Sequence, residues 1–239
     1  MPVQDILKRA GVEAPVLTSV QVDADRVVHV ISIGAAEPLE TAKKFLTVSE
    51  DTGYVPLFIA DDDYQDYMDS LKSNHKLEAK GGDTKAAKLI AAGEAVDVDE
   101  WVAEQDEYEF EDGDFSKERN IWSVIPTADK LVLVPVKRSW QIPAVFCFGD
   151  WNECPPAEVH IALLKRWHDK YGAELISMGM DSVYCLVNRP VRTRDAALAL
   201  AKEQAVYCHD NVDQGAGDGT LSGLAIDLMD AEAWQFWWD

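Results

Sequence analysis

A continuous apolar stripe runs through the segment PPAEVHIALLKRWHDKYG, residues 155–172. Its members recur at the i, i+3, i+4, i+7 and i+11 positions of one helix face: His160, Leu163, Leu164, Trp167 and Tyr171. Two prolines stand where a helix can begin, and Gly172 stands where one can end. The pattern therefore predicts a buried helix, and it places the imidazole of His160 on the buried face.

Strand-like segments surround this helix. Two of them, AELISM and SVYCLV, follow it and are joined around GMD, which is typical of a hairpin. In the first half, RVVHVISI and DTGYVPLFIA are also strand-like, and IWSVI, LVLVPV and AVFCF open the second half. The closing WQFWWD is too aromatic for a free tail, so it predicts a buried terminal strand or plug.

Amphipathic helical segments alternate with these strands. They are EPLETAKKFL, DDDYQDYMDSLK, TKAAKLIAAGEAV, TRDAALALAKEQAVYC and TLSGLAIDLM. The aspartates of DDDYQDYMDSLK suit the positive end of a helix dipole better than a metal site, because an EF-hand glycine and glutamate are missing. We predict an α+β fold, with mixed or antiparallel sheets, amphipathic helices packed on one face, an N-terminal α/β half and a C-terminal α+β half.

The segment from Glu94 to Ser116 is strongly acidic. It holds eleven Asp and Glu residues and no Lys or Arg, with large apolar side chains spaced among them. Such a charge run is usually a solvated linker or helix face. The aromatic residues leave a second interpretation, an interaction surface, because aromatic side chains anchor protein interfaces. The candidate partner-binding residues are Trp101, Asp106, Glu107, Tyr108, Glu109 and Glu111.

The acidic segment also marks the predicted domain boundary. Residues 1–116 are predicted to form an N-terminal α/β region that ends in the acidic segment 94–116. Residues 117–239 are predicted to form a C-terminal domain, which opens with the three strand-like segments.

The charge balance disfavours several classes of function. The chain has 43 acidic and 22 basic residues, a formal net charge of −21, which repels nucleic-acid phosphates and anionic membranes. The N-terminus has no basic region followed by an apolar run, and no apolar run is long enough to span a membrane. We therefore expect a cytoplasmic protein that binds neither nucleic acid nor membrane, and whose partner is a basic protein.

The four cysteines are Cys147, Cys154, Cys185 and Cys208, and none forms a CxxC pair. We expect reduced thiols, with Cys147 and Cys185 acting as small apolar residues in strand-like segments. Cys154, His160, Cys208 and His209 contain the donors of a Cys2His2 zinc site, but each half lacks the short ligand spacing. No metal and no cofactor is predicted.

A second candidate site consists of polar residues near predicted helix ends. Its members are Asp150, Asn152, Glu153, Cys154, His160, His168, His209, Asp210 and Asp213. In a cleft, such ionisable groups can have perturbed pKa values, as in an enzyme or ligand site. His160 and His168 are eight positions apart, so they diverge by about 80° around the helix and do not form the i, i+4 pair of a helical zinc site.

The C-terminal part of the chain resembles a known bacterial family. The stretches WNECP, LLKRWHDKYGAELISMGMDSVYCLVNRP, RDAALALAKEQAVYCHDNVDQG and WQFWWD are similar, in order and spacing, to the domain of unknown function 4253 family over roughly residues 140–239. Upstream, TGYVPLFI is similar to a stretch that many members carry. The resemblance implies a fold and a bacterial source, and it implies no reaction.

Two hypotheses about function follow. The first is an acidic protein-binding module of the toxin-neutralising, immunity-like type, which occludes a basic partner surface, because carboxylates steer association and aromatics anchor it. The alternative is an enzyme or a small-ligand or metal-binding domain that uses the polar cluster around His160, His168, His209 and Asp210. The sequence shows no coherent catalytic set, so it assigns no catalytic residue and favours the first hypothesis.

Overall fold

The computed structural model of the chain describes residues 1–34, 37–59, 63–105, 115, 125–215 and 219–239. Within these ranges the α-helices are α1 (Val3–Ala10), α2 (Pro38–Thr47), α3 (Ser49–Thr52), α4 (Tyr64–Asn74), α5 (Lys85–Ala95), α6 (Val98–Glu104), α7 (Ile142–Phe146), α8 (Ala157–Tyr171), α9 (Arg194–Tyr207) and α10 (Leu221–Leu228). The strands are β1 (Val16–Gln21), β2 (Val27–Ser32), β3 (Val55–Ile59), β4 (Lys130–Val134), β5 (Ala173–Met178), β6 (Ser182–Val187) and β7 (Ala233–Trp237). No helix in this part of the chain is long and apolar enough to cross a membrane.

All seven strands lie in one sheet, in the order β1-β2-β4-β3-β5-β6-β7. Every neighbouring pair is antiparallel except β3 and β5, which are parallel. The predicted α+β class and mixed sheet are confirmed. Strand β4, from the predicted C-terminal domain, lies between β2 and β3 of the predicted N-terminal region, so the two halves share one sheet. The predicted boundary after residue 116 lies outside the described residues.

Helices cover both faces of the sheet, where we expected them on one. Leu131 and Leu133 of β4 belong to a cluster with α1 and α2, whereas Val132 and Val134 belong to a larger cluster with α4, α7, α8 and α9. The reason is visible in β3, in which all five residues are buried. A strand that is apolar on both faces needs cover on both sides.

The helix limits follow local chemistry. The hydroxyls of Thr84, Thr193 and Thr220 accept hydrogen bonds from backbone N–H groups in the first turns of α5, α9 and α10. Such caps satisfy N–H groups that the helix leaves unpaired. Gly172 ends α8 in the left-handed conformation, as predicted.

One predicted strand is wrong. The segment AVFCF, residues 144–148, lies largely in α7, and Cys147 ends that helix in the left-handed conformation, half-buried. A short apolar segment has no period that separates a strand from a fully buried helix, and Pro143 favours a helix start. Cys185 is fully buried in β6, as expected. The segment IWSVI lies outside the described residues, apart from Ile125.

The aromatic C-terminus forms the last strand, as predicted. Trp234, Phe236 and Trp238 are buried, and Trp237 is half-buried. The ring of Trp167 in α8 stacks on Phe236 at a centroid distance of 5.3 Å. The strand and the central helix therefore share one aromatic core.

Candidate functional site

The loop between α7 and α8 has an unusual backbone. Three of its non-glycine residues have positive φ: Cys147, Asp150 and Asn152. Few residues other than glycine adopt this region. The loop folds back so that the N–H of Asp150 donates to the carbonyls of Cys154 and Pro155, each at 3.2 Å. This close turn brings the loop onto the start of α8.

Gly149 is required where the loop crosses α8. A Cβ atom on Gly149 would lie 2.0 Å from the carbonyl oxygen of Pro155 and 2.8 Å from Nε2 of His160. Its φ of 101° also disfavours any L side chain. The backbone of the loop therefore lies directly against the imidazole of His160.

His160 is fully buried, as predicted, and it has polar neighbours at both ring nitrogens. Nδ1 is 2.5 Å from the hydroxyl of Tyr207, and Nε2 is 3.4 Å from Sγ of Cys154. The rings of Phe148 and Trp238 pack edge-on against the imidazole. A neutral imidazole has one donor and one acceptor, which these neighbours can satisfy.

The pKa values of Cys154 and His160 do not favour a role for Cys154 as a nucleophile. Burial lowers the pKa of His160 to about 3, against a smaller opposing effect of its hydrogen bond with the Pro155 carbonyl. Burial, and then Cys208, raise the pKa of Cys154 well above its usual range. A reactive cysteine needs a lowered thiol pKa and a base that can hold its proton. Burial therefore favours a neutral thiol on Cys154 beside a neutral imidazole on His160 near pH 7.

His160 should make stability depend on pH. Its pKa is about 3 in the fold and about 6.5 in the unfolded chain, so stability is fully present above pH 6.5 and is lost as pH falls from there towards 3. At pH 5 we expect this histidine to lower the free energy of unfolding by about 2 kcal/mol relative to pH 7. Denaturant unfolding at several pH values measures the slope. The variant His160→Gln should have a lower absolute stability and a flatter slope between pH 5 and 7, and an unchanged slope would contradict the assignment.

A second group of polar residues, Tyr207–Asn211, fixes the C-terminal strand. Sγ of Cys208 donates to the carbonyl of Trp237 at 3.0 Å, and Nδ2 of Asn211 donates to the carbonyl of Gln235 at 2.8 Å. These two carbonyls lie on the edge of β7 that faces away from β6. The hydrogen bonds satisfy backbone groups that an edge strand leaves open.

The residues after β7 are held in the same way. Oδ2 of Asp210 accepts from the N–H of Asp239 at 3.0 Å, and Nδ2 of Asn152 donates to the carbonyl of Asp239 at 3.1 Å. Nε1 of Trp238 donates to the carbonyl of Tyr207 at 3.3 Å. Two members of the predicted polar cluster, Asn152 and Asp210, therefore bind the backbone of the C-terminal segment.

The remaining cluster members do not form one site. His209 forms an ion pair with Glu153, and the side chains of Asp150 and Asp213 are exposed. His168 lies elsewhere, with its Nδ1 3.1 Å from Oε1 of Glu174, whose hydrogen bond raises the pKa of His168. Among the described residues, no group of three or more His, Cys, Asp or Glu side chains is arranged to hold a metal ion. Cys154, His160, Cys208 and His209 thus do not converge on one point.

Tyr207 is the site residue that the sequence analysis missed. It is fully buried, and burial raises the pKa of its hydroxyl well above the usual range. The signal was available, because Tyr207 follows Leu200 by seven positions on the buried face of α9. A tyrosine buried at such a position needs a polar partner, which here is His160.

The first part of the acidic segment is a helix rather than a free linker. Asp97 caps α6 by accepting from the N–H groups of Asp99 and Glu100, at 3.0 and 3.1 Å. Trp101 is half-buried and packs against the larger core cluster. The other candidate partner-binding residues, Asp106, Glu107, Tyr108, Glu109 and Glu111, lie outside the described residues.

An arginine fastens α6 to the rest of the protein. Nη2 of Arg166 in α8 lies 2.8 Å from Oδ1 of Asp99 and 2.8 Å from Oε1 of Glu203 in α9. The hydrogen bond from Arg166 lowers the pKa of Asp99. Farther along the acidic segment, the guanidinium of Arg194 lies 4.5 Å above the ring centre of Phe115. The acidic segment is thus held at two described points.

An open groove of about 450 Å³ lies between α8 and the α5–α6 turn. Glu94 and Asp97 line one wall, and Lys165 and Lys170 line the other. Lys165 pairs with Asp169, and Lys170 pairs with Glu203. The basic wall is therefore neutralised by its own carboxylates.

A family model described as a domain of unknown function (DUF4253) matches residues 130–239. No curated protein and no solved structure matches the chain. The loop before α8, His160, Tyr207 and the residues that hold the C-terminal strand lie inside the matched range. The acidic helix α6 lies outside it.

Proposed function

We propose that this chain, whose residues 130–239 form a domain of the DUF4253 family, is a protein-binding module that docks on a basic surface of another protein. The contact surface would be the acidic face, which we define as Glu94, Asp97, Glu100, Trp101 and Glu104. The candidate acidic residues between 106 and 111 follow this face in the sequence. Five exposed carboxylates between residues 94 and 104, with no lysine or arginine among them, carry the proposal.

The fixed position of α6, which Arg166 holds through its ion pair with Asp99, supports a binding role for these carboxylates. A flexible acidic linker would lose conformational entropy on binding. Helix α6 is already ordered, because Asp97 caps it and Asp99 pairs with Arg166, so its entropic cost of binding is smaller. Its other carboxylates are directed into solvent, where they can steer a basic partner over long range. Fast, salt-sensitive association is the expected result.

Trp101 supplies the apolar part of the acidic face. It is half-buried, so part of the indole is fixed in the core and part is open to a partner. A rigid aromatic side chain contributes a large contact area at low entropic cost, and such residues dominate interface energies. Carboxylates around one tryptophan therefore suit a surface rich in arginine and lysine.

The polar cluster gives less support to the alternative, an enzyme or ligand site. Asn152, Asp210 and Asn211 bind the backbone of the C-terminal segment, and the Cys154–His160 pair is buried and neutral. These residues have a role in holding the fold together. We therefore place the proposed activity on the acidic face, and we propose a bacterial, cytoplasmic setting in which the partner is a basic protein such as a toxin to be neutralised.

The test starts with retention of proteins from a lysate of the source cell at low and high salt, followed by binding kinetics on each captured basic protein. Replacing Glu94, Glu100 and Glu104 by Gln should slow association at low salt by about tenfold and leave dissociation almost unchanged. High salt should remove most of the difference. Trp101→Ala should mainly speed dissociation, with thermal melting recorded to separate lost contact from lost stability.

A matched control keeps the same change in net charge. Asp5→Asn, Glu13→Gln and Asp51→Asn neutralise three exposed carboxylates on the side of the protein that carries α1 and α3. This variant should associate almost as fast as the original chain. The proposal fails if no basic protein is retained at low salt, or if both triple variants associate at the same rate.

A further inference from the structure

The two edge strands of the sheet, β1 and β7, differ in how their outer backbone groups are hydrogen-bonded. At the β7 edge, the outward carbonyls of Gln235 and Trp237 are bound by Asn211 and Cys208. Strand β1 forms the other edge, and it pairs with β2 on one side only. In the described part of the chain, no element pairs with its outer side. Among the described residues, the β7 edge is therefore closed and the β1 edge is open.

Strand β1 has no charged side chain to protect its outer edge, although a bulge interrupts its pairing with β2. Four of its six residues are exposed, and Leu17 has 51% of its surface accessible. The pairing with β2 shifts register between Val16 and Thr18, which leaves Leu17 outside the β2 ladder. Natural edge strands commonly carry charged side chains that prevent pairing, but residues 14–22 contain none.

The absence of charge in residues 14–22 is notable in this chain. The formal net charge is −21, so most close approaches of two copies bring carboxylates together. Contact along β1 reduces this repulsion, because its own side chains are Val, Leu, Thr, Ser and Gln, and the nearest acidic residues in the sequence, Glu13 and Asp23, lie beyond its two ends. The open edge is therefore suited to a second copy of the same protein.

We infer that β1 pairs antiparallel with β1 of a second copy, so that the two sheets become continuous across a two-fold axis. Backbone hydrogen bonds would supply the pairing, and the exposed side chain of Leu17 would be partly covered. Because the β7 edge is closed, the pairing cannot continue into a fibre, and it ends at a dimer.

The dimer is expected to be weak. A pair of six-residue strands buries less surface than a standard stable interface, so we expect a dissociation constant in the micromolar range or above. Salt should strengthen the dimer, because screening reduces the repulsion between two acidic bodies. The proposed docking on a basic partner has the opposite salt dependence, so the failure of either proposal can be recognised separately.

Sedimentation velocity over a wide range of concentrations, at low and high salt, tests the inference. The original chain should shift from monomer to dimer as its concentration rises. Leu17→Glu should raise the dissociation constant by at least about tenfold, because it brings two like charges near the axis and removes an apolar contact. Hydrogen exchange should show backbone amides of Val16–Gln21 becoming more protected as dimer forms.

Met180→Glu is the control. Met180 has 49% of its surface accessible and lies between β5 and β6, four strand positions from β1, and the change also introduces one carboxylate at an exposed apolar position. It should leave the dimer unchanged apart from the small effect of added charge. A chain that stays monomeric at its highest attainable concentration in high salt overturns the inference. So does a dimer that Leu17→Glu does not weaken, or one that leaves the exchange of β1 amides unchanged.

Discussion

Replacing Trp238 by Ala is expected to lower the free energy of unfolding by about 3–5 kcal/mol. The side chain is 1% exposed and packs against the rings of Phe148, His160, Tyr207 and Phe236. Its Nε1 also donates to the carbonyl of Tyr207. The substitution leaves a cavity among rigid aromatic rings and an unpaired carbonyl, and neither is easily relieved. Denaturant unfolding followed by circular dichroism measures the loss.

Its neighbour Trp237 provides the matched control. Trp237 is half-buried, and its Nε1 donates to Oδ2 of Asp181 at 3.0 Å on the surface. Trp237→Ala should cost only about 1 kcal/mol, since the hydrogen bond is exposed to water and less surface is lost. Equal losses in the two variants would mean that the end of the chain does not belong to the cooperative core.

Gly149→Ala is expected to destabilise the protein by about 3 kcal/mol or more, although it adds a single methyl group. The new Cβ would lie 2.0 Å from the carbonyl oxygen of Pro155, and that carbonyl is fixed by accepting from the N–H of Asp150. The loop would have to move away from His160, or the fold would have to bear a strained φ. Thermal melting and urea unfolding should both record the change.

Gly82→Ala separates this effect from the general cost of replacing glycine. Gly82 lies in the short helical turn Gly81–Asp83 and has no positive φ, and a Cβ atom added to it would meet no other atom within 4 Å. We expect the free energy of unfolding to change by less than about 0.5 kcal/mol. Any change should be towards higher stability, because alanine restricts the unfolded chain more than glycine does. A loss in Gly149→Ala no greater than that in Gly82→Ala would show that the loop is not packed tightly on α8.

The candidate site was predictable only in part. The burial of His160 followed from its place on the stripe of α8, which depends on residues within about three turns of one another. Its partners did not, because Tyr207 is 47 positions away and the thiol of Cys154 reaches it through a loop with several positive φ values. Neither helical period nor ligand spacing contains that information. The sequence therefore predicted which polar residues belong to the cluster. It did not predict that they divide into the buried Cys154–His160 pair, the His209–Glu153 ion pair and the residues that bind the C-terminal segment.

The sequence by itself determined the local elements: the threonine caps, the glycine end of α8, the hairpin of β5 and β6, and the buried aromatic end. Each of these depends on interactions between near neighbours along the chain. Only the tertiary structure decided that β4 lies between β2 and β3, that helices cover both faces, and that AVFCF is helical. It also decided that Asn211 and Cys208 close the β7 edge, while no strand of the described residues pairs with the outer side of β1. These features depend on contacts between segments that are distant in the sequence. Burial of apolar surface in the whole core determines which of these segments pack together, and no local pattern contains that information.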